Sequence, residues 1–287
     1  MAPTLAAADL RALAETDITT AIPLDQLGPV ITSSPFVAVP GTFNTRDLGL
    51  VPTSAGQPTP MRQGFAFRSG GLTDGRASAA LGSTGLGIRR VFDIRSQKEH
   101  ADKPDPAVEG AEGVWAPTSE LDAVVRLDEF VEGQGEGGYV WMYLDVLRCY
   151  RPAIKAVLEH VRDRPAEPFL FHCTAGRDRT GVVAGLLMTL AGVDADTVAF
   201  DYLLSRLGME PAREQLLAFA LHGAGVTSID APGFKNMTSL RKVCWDAYVE
   251  AVNREYGGFE KFITDILGLS AEDVEIIKHN LTVAPSA

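Results

Sequence analysis

The chain has 287 residues, 46% hydrophobic and 22% charged, with 26 Lys and Arg against 37 Asp and Glu for a formal charge of −11. That composition excludes a disordered chain, and its acidic balance argues against nucleic acid as a partner, which needs clustered basic side chains. Cys149, Cys173 and Cys244 are an odd number, far apart and without a C-x-x-C pair, which excludes a disulfide framework and a structural zinc site.

The first residues lack a basic segment followed by a continuous apolar run, so they do not read as a signal peptide and a cytoplasmic location is expected. Residues 1–34 combine a short amphipathic stretch (Leu5, Leu10, Leu13) with Pro23 and Pro29, and read as an arm lying on a main body, residues 35–287. Phe36 to Val39 and Gly64 to Phe67 are apolar runs between turn residues and predict short strands. Ala77 to Gly85 predicts a short helix feeding a strand at Arg90 to Ile94, and Gly113 to Trp115 predicts a further strand. Gly133, Gly135 and Gly138 satisfy G-x-G-x-x-G, but an acidic stretch (Asp128, Glu129, Glu132) stands where a dinucleotide fingerprint requires a strand.

Tyr139 to Arg162 carries helical periodicity, with Pro152 opening a second helix. Pro168 to His172 predicts a buried strand, and Thr180 to Gly192 a buried apolar helix too short to span a bilayer, so no stable membrane insertion is expected. Further helices are predicted at Ala195 to Leu207, Pro211 to Leu221, Ser239 to Tyr256 and Ala271 to about Asn280, interrupted by a loop from Gly223 to Asn236.

Between strand and apolar helix lies Cys173-Thr174-Ala175-Gly176-Arg177-Asp178-Arg179. A tight loop entering a helix N-terminus aims successive amides and the positive end of the helix dipole at an anion. Gly176 permits close backbone approach, and Arg179 offers a planar fork to two phosphate oxygens. The same surroundings favour the thiolate of Cys173, the attacking form of a cysteine. Asp93, Arg95 and Glu99 read as ion pairs fixing a strand end, Arg46 and Asp47 as turn or surface residues, Arg68 and Ser69 as a strand-end brace, and Cys149 and Cys244 as structural.

His172 to Gly181 resembles the signature H-C-x-x-G-x-x-R-[S/T]-G of the cysteine-dependent protein tyrosine phosphatases. With Asp178 directly before Arg179 it is similar to the atypical branch typified by mycobacterial protein tyrosine phosphatase B, as are Phe43 to Gly49, Phe67 to Gly70 and Asp93 to Glu99. The resemblance implies an α/β tyrosine-phosphatase-like fold, a central mixed sheet flanked by helices, with extra helices at about 194–238 forming a lid. It implies a phosphomonoester hydrolase acting on phosphotyrosine or phosphoserine proteins or other phosphomonoesters, without metal or cofactor. Cys173 would attack phosphorus to give a phosphocysteine. Thr174, Ala175, Gly176 and Arg177 would bind the phosphoryl group with Arg179, Thr180 would donate to the sulfur, and His172 would orient the loop.

Asp178 is the first candidate for the general acid, its other reading being a carboxylate that pairs with Arg177 and shapes the loop. Glu120 or Asp122 on a separate loop, or Asp93, are the alternatives. The branch usually has Lys where this chain has Arg177, so an inositol phosphate preference is not inherited. Leu203, Leu204, Leu207, Leu216, Leu217, Phe219 and Ala220 read as core, with a second role as a cover over the site implied by the resemblance. A metabolite, nucleotide or phosphoinositide substrate is the alternative. A non-catalytic phosphate binder and a sulfurtransferase stand behind it, and the oligomeric state stays open.

Overall fold

In the computed structural model, which describes residues 7–53, 57–118 and 125–285, five short strands form one sheet. They are β1 (Arg46–Asp47), β2 (Ala66–Ser69), β3 (Arg90–Asp93), β4 (Glu112–Trp115) and β5 (Phe169–His172), in the order β1-β2-β5-β3-β4. β1 is antiparallel to β2, while β2, β5, β3 and β4 run parallel, so the sheet is mixed. β5 lies at the centre with all four residues fully buried, as a continuous apolar run demands when helices cover both faces. Alternation along the strands divides the core: Phe67, Val91 and Leu170 face one side, and Ala66, Phe92, Phe169 and Phe171 the other.

The helices are α1 (Ala7–Ala14), α2 (Leu24–Ile31), α3 (Ala77–Leu81), α4 (Gln97–Asp102), α5 (Glu136–Cys149), α6 (Arg151–Asp163), α7 (Asp178–Leu190), α8 (Ala195–Met209), α9 (Arg213–Gly223), α10 (Phe234–Thr238), α11 (Lys242–Tyr256), α12 (Phe259–Lys261) and α13 (Ala271–Thr282). α7 is apolar all round and buried. Its Gly185 lies under the Trp245 ring, where a Cβ would collide. That close approach lets Trp245 stack on Tyr202, with centroids 4.8 Å apart, and join an aromatic cluster with Tyr143 and Tyr248. Cys149 and Cys244 are buried and form no disulfide among the described residues. No helix among the described residues is long and apolar enough to cross a membrane.

The arm is held. α1 and α2 pack on α8, Arg11 sits 4.4 Å over the Phe200 ring, and Ala14 and Leu27 are fully buried. The strand expected at Phe36–Val39 does not form. Pro35 and Pro40 bracket it, neither able to donate to a ladder, and only the bridge between Phe36 and Arg46 remains. The helix expected from Ser239 starts at Lys242, and α10 occupies the end of the expected loop because Gly233, at φ +82°, turns the chain into it.

His160 on α6 carries a consequence for pH. Its ring packs against Phe92 and Phe169, Nε2–H donates to the Glu167 carbonyl at 2.9 Å, and Nδ1 is buried without a partner among the described residues. Burial drives its pKa from 6.5 down to about 4. The unfolded chain therefore binds the proton first, so this contribution to stability is complete above pH 6.5 and is lost as pH falls through 4. Over that window the loss should be about 3 kcal/mol. Urea unfolding of the wild type and of His160→Gln from pH 7 to 4 should show a shallower decline in the variant; parallel declines would contradict the assignment.

Candidate active site

Three strand ends set the site. β2, β5 and β3 finish level, with Ser69, His172 and Asp93 in register, and the chain leaves β5 at Cys173 to enter α7 at Asp178. Ligands of α/β sheets bind at such carboxyl ends, where the next helix presents its N-terminus.

Every carbonyl of the loop is tied down. Cys173 O accepts from His172 Nδ1 at 3.2 Å, Thr174 O from the Gly71 amide at 3.1 Å and Arg177 O from the Gly181 amide at 2.7 Å. Asn44 Nδ2 donates to Ala175 O at 3.2 Å and to Gly176 O at 3.0 Å, and Arg68 Nη2 donates to Gly176 O at 2.8 Å. The amides of residues 174–177 meet no acceptor among the described residues. Carbonyls out and amides in is an anion cradle in bare form. Gly176 makes it possible: at φ +65°, any Cβ would strike the Ser69 carbonyl and the Gly70 backbone.

Behind the cradle lies an ion cluster. Asp201 of α8 accepts from Arg46 Nε at 2.7 Å and from Arg68 Nη1, and all three residues are buried. Ser205 Oγ accepts from Arg46 Nη2 at 3.0 Å, and Asn44 Oδ1 from Arg46 Nη1 at 2.5 Å. Two guanidinium groups on one carboxylate leave a net positive charge beneath Gly176. Burial, together with the neighbouring Arg68 charge, lowers Arg46 to about 10 against the pull of Asp201, which leaves it protonated at neutral pH. The expectation that Arg46 and Asp47 sit at a turn or the surface is thus corrected. Asp201, distant in sequence, lets Arg46 be buried, and Asp47 accepts from the Gly49 and Gly64 amides inside the fold.

Arg179 reaches back from α7 to Glu99, with Nη1 to Oε2 at 2.5 Å and Nη2 to Oε1 at 3.0 Å, and Nη1 also meets the Tyr150 hydroxyl at 3.2 Å. Thr174 Oγ1 donates to Glu99 as well. Burial pushes the Glu99 pKa up, but bonding to Arg179, its charge, Thr174 and the Ser96 amide prevail and bring it down to about 2. Burial likewise disfavours the charge on Arg179, and Tyr150, Glu99 and Cys173 outweigh it, holding its proton above the ordinary range. Glu99 therefore belongs to the loop and not, as the sequence suggested, to a strand-end pair. Its signal was available: Ser96 and Glu99 form a capping box at the start of α4, which fixes the carboxylate's direction.

Asp178 accepts at Oδ1 from both Tyr143 Oη and Arg177 Nε, each at 2.8 Å, and Tyr143 in turn bonds Tyr202 Oη at 2.8 Å. The Arg177 fork continues to the carbonyls of Thr238 (3.0 Å) and Met237 (3.2 Å). Thr180 Oγ1 is buried and has no hydrogen-bond partner among the described residues, the sulfur of Cys173 included.

His172 Nε2 bonds Asp105 at 2.8 Å, Arg95 links Asp105 to Asp93, and Asp93 bonds His100, which stacks on Trp115. Ligand atoms of Asp93, Asp105 and His172 come within 4.8 Å of one another, but Arg95 already sits on both carboxylates, so the cluster is an ion-pair network. Asp93 is placed in this brace, outside the pocket wall, and so is not positioned as the alternative acid. Glu120 and Asp122 lie outside the described residues.

A pocket of about 140 Å³ opens over the loop, floored by Cys173, Thr174, Ala175, Arg177, Asp178 and Arg179 and walled by apolar side chains that include Leu216 and Leu217 of α9. Leu203, Leu204 and Leu207 are buried in the core. The arrangement places a cysteine thiol at the foot of a loop whose amides can receive an anion, flanked by a fixed cation and a carboxylate.

Comparison with known proteins agrees. A model of the tyrosine phosphatase family matches residues 37–283. A tyrosine-protein phosphatase of Nostoc commune is 29% identical over 74% of this chain and 71% of its own length. A putative tyrosine-protein phosphatase of Cupriavidus necator is 28% identical over 78% and 81%, and the triple specificity protein phosphatase PtpB of Mycobacterium tuberculosis is 30% identical over 62% and 72%. A family pattern running through all five strands and the loop that joins β5 to α7 identifies the chain as a member of the tyrosine phosphatase family.

Proposed function

We propose that this phosphatase hydrolyses phosphomonoesters through a phosphocysteine on Cys173. The thiolate attacks phosphorus, the S–P bond forms as the bond to the ester oxygen breaks, and Asp178 gives that oxygen its proton. Water then attacks phosphorus, the S–P bond breaks, the thiolate returns and the water proton passes to Asp178. Amides 174–177 and Arg179 hold the phosphoryl oxygens and match the charge of the transition state. Glu99 aims Arg179, and His172 and the network through Asp93 brace the loop from below. Thr180 lies buried next to the loop, with a hydroxyl free to turn toward the sulfur as it leaves.

The observation that carries this reading is the cradle itself: loop carbonyls bonded to the surrounding fold, with the amides of residues 174–177 left without an acceptor among the described residues. Asp178 before Arg179 and the likeness to PtpB support a place in the atypical branch. Substrates are phosphotyrosine or phosphoserine proteins or other phosphomonoesters. The Arg177 fork is engaged by Asp178 and two carbonyls, so it shapes the rim, and an inositol phosphate preference does not follow from it.

The protein should hydrolyse p-nitrophenyl phosphate in the presence of EDTA, because the nucleophile is a side chain, and vanadate should inhibit by occupying the cradle. Loss of activity in EDTA, or sulfur transfer from thiosulfate to cyanide without phosphate release, would count against it.

A further inference from the structure

One wall of the Cys173 pocket comes from outside the sheet and its covering helices. Ile18, in the turn between α1 and α2, lines the pocket and is 3% exposed. Asp17 Oδ1 folds that turn by accepting from the Thr19 amide at 2.8 Å and its hydroxyl at 2.7 Å. Arg206 of α8, fully buried, clamps it, with Nε donating to Thr16 O at 2.9 Å and Nη2 to Thr20 O at 2.7 Å. Glu210 closes the clamp, taking Arg206 Nη1 at 2.5 Å on one oxygen and the Ile22 amide at 2.9 Å on the other. Ser239 Oγ reaches Asp17 at 3.3 Å, next to the carbonyls that hold Arg177. Releasing the turn would leave the buried Arg206 without the Thr16 and Thr20 carbonyls, which is costly.

The wall opposite is of one kind. Met142, Met209, Met237, Leu216 and Leu217 face the loop. Among the described lining residues outside the loop, Thr238 alone has a polar side chain, and its hydroxyl donates to the Phe234 carbonyl at 2.8 Å. A hydroxyl-rich body would leave water for a wall that returns no hydrogen bonds. The pocket of about 140 Å³ has to seat the phosphoryl group on the loop as well as the organic part, so that part is held closely by the wall. Methionines adapt to its outline.

We infer that the N-terminal arm is a specificity-determining part of the active site: Ile18 presses on the apolar organic part of the substrate and limits its width. The inference rests on the Cys173 loop being the site of phosphoryl transfer.

The test compares kcat/KM for 2-naphthyl and phenyl phosphate in the wild type and in Ile18→Ala, Ile18→Val and Ile18→Phe. Removing three carbons opens room for the second ring, so the naphthyl-to-phenyl ratio should rise about 10-fold in the alanine variant, less in the valine variant, and fall in the phenylalanine variant. A merely structural role would lower both substrates together and leave the ratio alone. In the wild type, 2-phenylethyl phosphate should be preferred to glycerol 3-phosphate, another alkyl ester, by about 10-fold or more. Ratios within about twofold of wild type in every folded variant, or glycerol phosphate turned over as well as the phenylethyl ester, would overturn the inference. Cys173→Ser assayed beside them separates the two claims, since retained hydrolysis there would remove the site itself.

Discussion

Cys173→Ser should lower kcat for p-nitrophenyl phosphate by on the order of 10⁴-fold or more and leave the melting temperature nearly unchanged. Cys173 is 1% exposed and the hydroxyl is a close, smaller replacement, so the fold has little to lose. Chemistry has much to lose, because an alcohol needs a base to become a nucleophile, and Asp178 enters the first step as the proton donor. His172 is the nearest imidazole in sequence, yet its Nδ1 is on the Cys173 carbonyl and its Nε2 on Asp105. The serine variant should still bind vanadate or phosphate in calorimetry, since amides 174–177 and Arg179 are untouched. Full activity in that variant would remove the cysteine from the mechanism.

Asp201→Asn should cost about 3–5 kcal/mol and lower the melting temperature by roughly 10 °C, because it leaves the guanidinium groups of Arg46 and Arg68 buried without their counter-charge. The amide also turns an NH₂ toward one of two arginines, neither of which can accept. Activity should fall with stability. Arg68 and Asn44 hold the Gly176 carbonyl, and Asn44 is itself bonded to Arg46, so the cradle loses its anchors from behind. Asp74→Asn is the control: its pair with Arg76 is exposed and should be worth little. Thermal and urea unfolding of the two variants would decide it, and a loss below about 1 kcal/mol for Asp201→Asn would show that the cluster does not hold the loop.

The elements legible in the sequence were those whose pattern is local. The run Phe169–His172 and the apolar α7 announce a buried strand and helix by composition, and the spacing of Cys173, Gly176 and Arg179 announces the loop between them. What escaped was set by partners distant in the chain. Arg46 looks like a surface residue until Asp201 arrives from α8, and Asn44 shows no role of its own until Ala175 and Gly176 present their carbonyls. Glu99 was visible but assigned to the wrong partner, because i,i+4 spacing points to Arg95 whereas the fold offers Arg179. The pairing of Asp178 with Arg177, the less favoured of its two readings, is present. Phe36–Val39 has strand composition, and its flanking prolines decided otherwise. Ile18 carried no signal at all: an isolated isoleucine in an arm does not say which pocket it will reach.

α4 is six residues long and buries none of them, so by itself it is among the least stable pieces of the molecule. Glu99 caps that helix and at the same time holds Arg179 and Thr174. Such pieces open locally while the remainder stays folded. Each opening would release the arginine from its carboxylate and blur the aim of the fork. Competence for turnover is thereby linked to a frail surface element rather than to the global unfolding equilibrium, and a ligand that draws on Arg179 alters how often that element opens.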